Sequence, residues 1–163
     1  MAVEIPLTQG YVTLVDDDDA ERVRAFKWQA FVRPGRVYAA RTARYEGERR
    51  TIYLHRWLMG ASQGVQIDHK NRDTLDNRRS TNLRLASCSE NHANATGRGG
   101  FKGVTFDKAR NKWKSQVGFR GTHLNIGRFD TEIEAARAYD RMAAHLFGQF
   151  ALLNFPEEAD RVT

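Results

Sequence analysis

"QIDHKNRDTLDNRRSTNLRLASCSENHANA", residues 66–95, gathers Asp, Asn and His side chains at a density found nowhere else in the chain. Two readings compete. Asn71, Asn77, Asn82 and Asn94 are residue types that close turns and cap helices. The same oxygens and imidazoles are also suitable ligands for a hard divalent cation such as Mg²⁺. Asp68 and His69 are adjacent, so on a strand their side chains point to opposite faces and serve different roles. "SENHANA" reads as a helix start capped by Ser87 or Ser89, with Asn91 in an early turn. Strand, loop, strand and helix would then enclose one ion.

Upstream, the alternation of Tyr11 to Val15 predicts a strand, and "DDDDAERVRAF" a short helix with acidic residues at its positive end. "KWQAFV" and "VYAARTARY" read as antiparallel strands joined by the Pro-Gly turn of "RPGR", with "RRTIYLHRWLMG" following. Downstream, "ATGRGGFKG" reads as a linker, placed over residues 96–100. Beyond it come three short strands, around "KGVTFDK", "KWKSQVGF" and "HLNIGRF". A long helix then begins at Thr131, which forms a capping box with Glu134, and Ile133, Ala136, Tyr139, Ala143 and Leu146 recur at helical spacing until Gly148. The fold class is therefore α+β: a mixed, mostly antiparallel module over residues 1–95, a small three-stranded antiparallel sheet packed on one helix over 101–156, and a tail over 157–163.

The 163 residues carry 26 Lys and Arg against 20 Asp and Glu, a formal charge of +6 with a pI of about 9.8, which favours a polyanionic partner. The single Cys88 cannot close an internal disulfide and has no CxxC partner, which fits a reducing compartment and gives no sign of a cysteine-ligated zinc site. No run has the length of a signal peptide core or a membrane span, so the expectation is a soluble protein of the cytoplasm, with no membrane partner.

"IDHKNRDTLDNRRSTNLRLASCSENHAN", together with "YLHRWL" before it, resembles the ββα-metal motif of HNH endonucleases, in the phage and intron-borne homing type that ends in Asn where others have His. The resemblance extends to "IPLTQGYVTLVDDDD" and "KWQA" and places the motif core at about 53–95. It implies that Asp68 and Asn91 bind a divalent metal ion, Mg²⁺ or Mn²⁺, that His69 is the general base, and that Asn82 fixes the loop by hydrogen bonds. His92 is the other candidate for the second ligand, and His55 matches a position without an assigned role. The chain departs from the pattern twice: Arg72 stands where the family has Gly or a small residue, and the span from Asn77 to Asn82 is one residue longer.

"FKGVTFDKARNKWKSQVGFRGTHLNIGRFDTEIEAARAYDRMAAHLFGQFALLNFP" resembles the Apetala/ethylene-response-factor DNA-binding domain, most closely at "GRFDT", "EAARAYDRMA" and "LNFP". That family lays its sheet in the major groove. Period-two alternation puts Trp113, Ser115, Val117 and Phe119 on one face and Lys112, Lys114 and Gln116 on the other. Leu124 and Ile126 continue the first face, His123 and Asn125 the second. The second face joins cations for phosphates to side chains that can bond base edges, and Lys102, Thr105, Arg110, Arg120 and Arg128 border it. Thr105, Gly118 and Asn125 stand where plant relatives carry Arg or Trp, so a target sequence does not transfer.

Joined, the two parts predict a metal-dependent endonuclease acting on double-stranded DNA as a monomer or homodimer. One site per chain would nick, and two could break both strands. The rival expectation is a DNA-binding regulator whose nuclease half is only a scaffold, and charge alone would also permit an RNA binder.

Overall fold

Acidic residues after a strand start a helix because their charge meets the partial positive charge of the first turn. In the computed structural model, which describes residues 1–97 and 99–159, Asp17, Asp18 and Asp19 open helix α1 (Asp17–Arg24) in this way, with Arg22 and Arg24 in its last turn. Before it, β1 (Ala2–Pro6) pairs antiparallel with β2 (Val12–Asp16). After it, β3 (Gln29–Arg33), β4 (Arg36–Tyr45) and β5 (Glu48–Tyr53) form an antiparallel meander in that order. Pro34 and Gly35 make the first hairpin turn, with Gly35 at φ +73° as a glycine-requiring turn position demands. Helix α2 (Leu54–Leu58) follows, then the two-stranded β6 (Gln66–His69) and β7 (Leu83–Ala86). Ile5, Val15, Val23, Trp28, Leu54 and Leu58 are the centre of the core these elements share, and Ile67 and Leu83 bring the β6–β7 hairpin to it.

The chain divides into two compact units, Met1–Ala86 and Ser87–Thr163. The second unit opens with helix α3 (Cys88–Asn94), whose start is a capping box: the Ser87 hydroxyl accepts from the Glu90 amide and the Glu90 carboxylate accepts from the Ser87 amide. Strands β8 (Val104–Asp107), β9 (Lys112–Phe119) and β10 (Thr122–Phe129) form an antiparallel sheet of order β10-β9-β8, packed on α4 (Glu132–Phe147). The Thr131 and Glu134 capping box is formed as expected, and Gly148 ends the helix at φ +50°. The buried stripe of α4 runs through Ala135, Tyr139, Ala143 and Phe147, while Ile133 is exposed: it lies in the first turn, beyond the edge of the sheet-facing stripe. Ala93 of α3 is buried in the same core as Val117, Tyr139, Ala143 and Phe147. The expected linker, 96–100, follows α3 within this unit, and its Arg98 lies outside the described residues. Pro156–Ala159, which run into the expected tail of 157–163, form one helical turn, α5, where the Glu158 carboxylate accepts two bonds from Arg137, and residues 160–163 lie outside the described residues. No helix among the described residues is long and apolar enough to cross a membrane.

The "LNFP" element owes its place to one buried carboxylate. Asp140 of α4 accepts the backbone N–H groups of Asn154 and Phe155, at 2.8 Å each, and Asn154 in turn accepts the Lys102 backbone N–H at 2.7 Å. A return strand is thus tied to the helix and to the start of the sheet without regular secondary structure of its own.

Candidate active site and nucleic-acid interface

In the first unit, β6 carries Asp68 and His69, both buried. Antiparallel register sets Asp68 opposite Arg84 and His69 opposite Leu83. Asp68 Oδ2 accepts from Arg84 Nε at 2.8 Å and Nη2 at 2.7 Å, a charge-assisted pair across the hairpin.

The loop from Lys70 to Asn82 is organised by its own amides and carboxylates. Asn82 Oδ1 accepts the Asn71 N–H at 2.9 Å and Asn82 Nδ2 donates to the Asp76 carbonyl at 2.6 Å, so this one side chain bridges both ends of the loop. Asn71 Nδ2 donates to Asp76, which is also clamped by Arg78. The loop is then fastened outward: the Leu14 and Asn77 amides exchange bonds with the Leu75 and Leu14 carbonyls, Thr74 donates to the Val37 carbonyl, Arg79 grips the buried Asp19, and Ser80 donates to Asp16. Arg72, at the position where the resembled family has Gly or a small residue, has φ +65°. A Cβ in the left-handed region costs about 1–2 kcal/mol, whereas glycine enters it freely at some entropic expense. Arg72→Gly is therefore expected to raise stability by about 0.5–1 kcal/mol, read as a higher urea midpoint with unchanged slope.

Asn77 is the residue that sequence reasoning missed. It was read as one turn former among several, yet it is fully buried and reaches the His69 ring: Asn77 Oδ1 lies 3.4 Å from His69 Nε2. Neighbouring bonds fix the proton order. The buried Thr13 hydroxyl donates to the Leu75 carbonyl at 2.6 Å, so its lone pair accepts from Asn77 Nδ2, at 2.7 Å. The amide oxygen of Asn77 consequently faces the imidazole, His69 Nε2 carries the hydrogen, and the basic lone pair resides on Nδ1. Burial holds the His69 pKa below its ordinary value, opposed by the bond to Asn77 and by the carboxylates of Asp68, Asp73 and Asp76. His55, whose ring centroid is 5.1 Å from that of His69, is pushed down to about 3 by burial and by the charges of His69 and Arg56.

These two histidines set an acid dependence. Both are neutral in the fold, while an unfolded chain protonates them below about pH 6.5. Below that pH the unfolded state binds more protons, so stability falls as pH drops, by up to about 1.4 kcal/mol per pH unit for each histidine until its folded pKa is reached. Urea melts at pH 7.5 and 5.5 are expected to show a lower midpoint at 5.5, and His55→Phe should flatten the difference.

In the second unit, Asn91 lies in the first turns of α3 and is half-buried. The neighbouring His92 is exposed, and its Nδ1 is 2.9 Å from the Cys88 carbonyl of its own helix. An Asp carboxylate and an Asn amide oxygen are a donor set suited to a Mg²⁺-like ion that keeps several waters. No group of three or more His, Cys, Asp or Glu side chains placed to hold a metal occurs among the described residues.

On the sheet of the second unit, register gathers most of the expected interface on one face. Thr105 stands opposite Lys114, and Asn125 opposite Gln116. Lys112, His123 and Arg128 share this face through Asp107, Gly118 and Lys114. A β-bulge at Ile126, between Asn125 and Gly127, shifts the alternation by one, which is how Arg128 returns to the open side with Asn125 although three positions separate them, while Ile126 packs on the core. Several of the cations already have partners: Lys112 is paired with Asp130, and Asp107 accepts from Arg128 Nε at 2.9 Å and Arg110 Nη1 at 3.3 Å. Arg120 sits in the β9–β10 turn at φ +48°, its guanidinium over the Phe119 ring. Lys102 points elsewhere. Its ammonium donates to the Ala93 carbonyl and, at 2.6 Å and 3.3 Å, to those of Ala95 and His92, capping the carbonyl end of α3.

Comparison with known proteins agrees with both halves. An HNH endonuclease family model matches residues 53–93, and an AP2 domain model matches residues 99–149. An HNH endonuclease of Acanthamoeba polyphaga mimivirus is 37% identical over 90 residues, covering 55% of this chain and 47% of the viral protein. APETALA2-like protein 2 of Oryza sativa subsp. indica is 43% identical over 63 residues, which cover 37% of this chain and 14% of the plant protein. Dehydration-responsive element-binding protein 2D of Arabidopsis thaliana is 44% identical over 59 residues, 35% of this chain and 28% of that protein. The chain thus spans less than half the length of these relatives. One polypeptide thus carries a match to an HNH endonuclease domain over residues 53–93 and a match to an AP2 domain over residues 99–149.

Proposed function

We propose that the protein is a metal-dependent endonuclease that hydrolyses phosphodiester bonds in duplex DNA and is brought to its substrate by the β8–β10 sheet. The observation that carries this reading is the buried His69, neutral and held in one tautomer by Asn77, beside the carboxylate of Asp68. A neutral imidazole with its lone pair directed by a fixed partner is prepared to accept a proton.

In this reading Nδ1 of His69 takes a proton from the attacking water, and the Asn77 oxygen steadies the imidazolium that results by accepting from Nε2. Asp68 and Asn91 are the residues that, by the motif resemblance, would hold a divalent ion, Mg²⁺ or Mn²⁺. When bound, the ion would neutralise charge on the phosphate and on the departing 3′ oxygen. Arg84 holds the Asp68 carboxylate in one orientation, as outer partners of ligating carboxylates do. Asn82 holds the loop. The products are 5′-phosphate and 3′-hydroxyl ends. On the second unit, Lys114, Gln116, His123 and Asn125 contact the groove, with Thr105, Lys112 and Arg128 beside them, while Arg110 and Arg120 border the backbone. Lys102 contributes through α3 rather than through phosphate.

The competing reading, a regulator with an inactive nuclease scaffold, draws on the Arg84 pair, which occupies the Asp68 oxygen. Supercoiled plasmid separates the two. The purified chain with Mg²⁺ or Mn²⁺ is expected to give nicked circles and, for a dimer, linear product, and EDTA should abolish both. Duplex binding without cleavage under either metal would establish the regulator instead.

A further inference from the structure

The β3–β4–β5 sheet of the first unit presents a face that none of the roles above uses. Cross-strand partners share a face, so Arg33 opposite Arg36 and Arg44 opposite Arg49 stand on the same side of the sheet, one pair toward each end of β4. Gln29, Thr42 and Thr51 lie on that side with them, and no acidic side chain does. The opposite side is the one that packs: Ala39 belongs to the core and Ile52 packs against it. All four arginines are exposed. None of them makes an ion pair among the described residues, although Arg50, on the packed side of β5, is paired with Glu48.

Like charges placed directly opposite each other destabilise a sheet. Two such pairs on one face, without counter-charges, point to a polyanion as the missing partner. The spacing suits an extended one: Arg36 and Arg44 are separated along β4 by about 26 Å at ~3.3 Å per residue, roughly the axial length of seven or eight base steps.

A line of rings leads from this face to the candidate base. Phe31 and Tyr38 stack against Tyr53 with centroids 5.7 and 5.6 Å apart, Tyr38 and Tyr53 lie 5.8 and 5.7 Å from His55, and His55 lies 5.1 Å from His69. Within this single unit, the line of rings connects the arginine-bearing face to the buried His69.

We propose that this face is a second, sequence-independent contact for the backbone of duplex DNA, which lays the scissile strand toward His69. The identity of the occupant rests on the nuclease reading, and the test is arranged so that the two can fail separately. Binding of the full-length chain to a fluorescein-labelled duplex is followed by anisotropy in EDTA over a range of salt concentrations, for the parent, for R33Q/R36Q/R44Q/R49Q, and for Arg50→Gln from the packed side. Each lost phosphate contact removes about 0.9 from the slope of log K against log salt. The quadruple variant is expected to lose about 3.6 from the slope and at least tenfold in affinity at low salt, with a melting temperature equal to or above the parent because the like-charge pairs are relieved, while Arg50→Gln keeps the parent slope. A slope and affinity equal to the parent would overturn the proposal, as would single-stranded RNA displacing the duplex more readily than unlabelled duplex does. Because no cleavage is read, an inactive parent would count against the nuclease and leave this measurement decisive.

Discussion

His69→Ala is expected to lower the rate of metal-dependent plasmid nicking by about 10²–10⁴-fold, the range over which a positioned general base acts, or about 3–5 kcal/mol of barrier. The loss should lie in the rate at saturating DNA, with duplex affinity within about twofold of the parent, because the ring is buried and contacts protein rather than solvent. Truncation also removes the partner of the Asn77 oxygen, so a destabilisation of about 1–3 kcal/mol accompanies it. Circular dichroism and a urea melt keep the two effects apart. A variant that stays folded and cuts at the parent rate would remove His69 from the mechanism. Asn77→Ala is a graded companion: the imidazole remains but its tautomer is no longer fixed, so activity should fall less than in His69→Ala while stability falls more, since the amide also holds Thr13 at 2.7 Å and the Thr74 carbonyl at 3.5 Å.

The second large effect concerns Gly103, at the entry to β8. Its φ is +75°, and a Cβ built there would lie 2.0 Å from Cδ2 and 2.4 Å from Cε2 of Tyr139 and 2.7 Å from the Gln116 carbonyl. None of these can give way. Tyr139 is buried at the centre of the second core, its hydroxyl pushed up to about 12 by burial and by Asp140, and the Gln116 strand segment is held because its amide donates to the Gly103 carbonyl at 2.9 Å. Backbone strain and overpacking add, so Gly103→Ala should cost about 3–5 kcal/mol. For a unit of this size that is a drop in melting temperature of more than about 12 °C, with duplex binding by the β8–β10 sheet lost in parallel. A variant melting within a few degrees of the parent would show that the sheet and α4 separate without difficulty.

Much of this architecture was legible where the cause is local. The Thr131 and Glu134 box, the Pro34–Gly35 turn, the acidic opening of α1 and the alternation through Lys112, Lys114 and Gln116 are each written within a few consecutive residues, and each formed. The bulge at Ile126 shows the limit of that logic, since one inserted residue reverses the face of everything after it. What sequence could not reveal depends on distant partners. Asn77 meets Thr13 across 64 positions, and no spacing rule separates it from Asn71 or Asn82. Asp68 and Arg84 became a pair only once the hairpin register was known. The ammonium of Lys102 was counted among groups for phosphate because a lysine in a basic segment has no one-dimensional mark that distinguishes a helix cap.

Helix α3 carries the last consequence. All but its last residue, Asn94, fall inside the HNH match, yet Ala93 lies in the core of the second unit, its carbonyl accepts from the Leu152 amide at 3.0 Å, Ser89 accepts from the Arg120 amide at 3.0 Å, and Lys102 caps its end. Family boundaries and folding boundaries therefore do not coincide. A recombination or engineering event that exchanges the AP2 domain at residue 95 would strip this helix of the packing that forms it, whereas a crossover near residue 86 would carry it along intact, so the viable unit of exchange includes a piece of the nuclease signature itself.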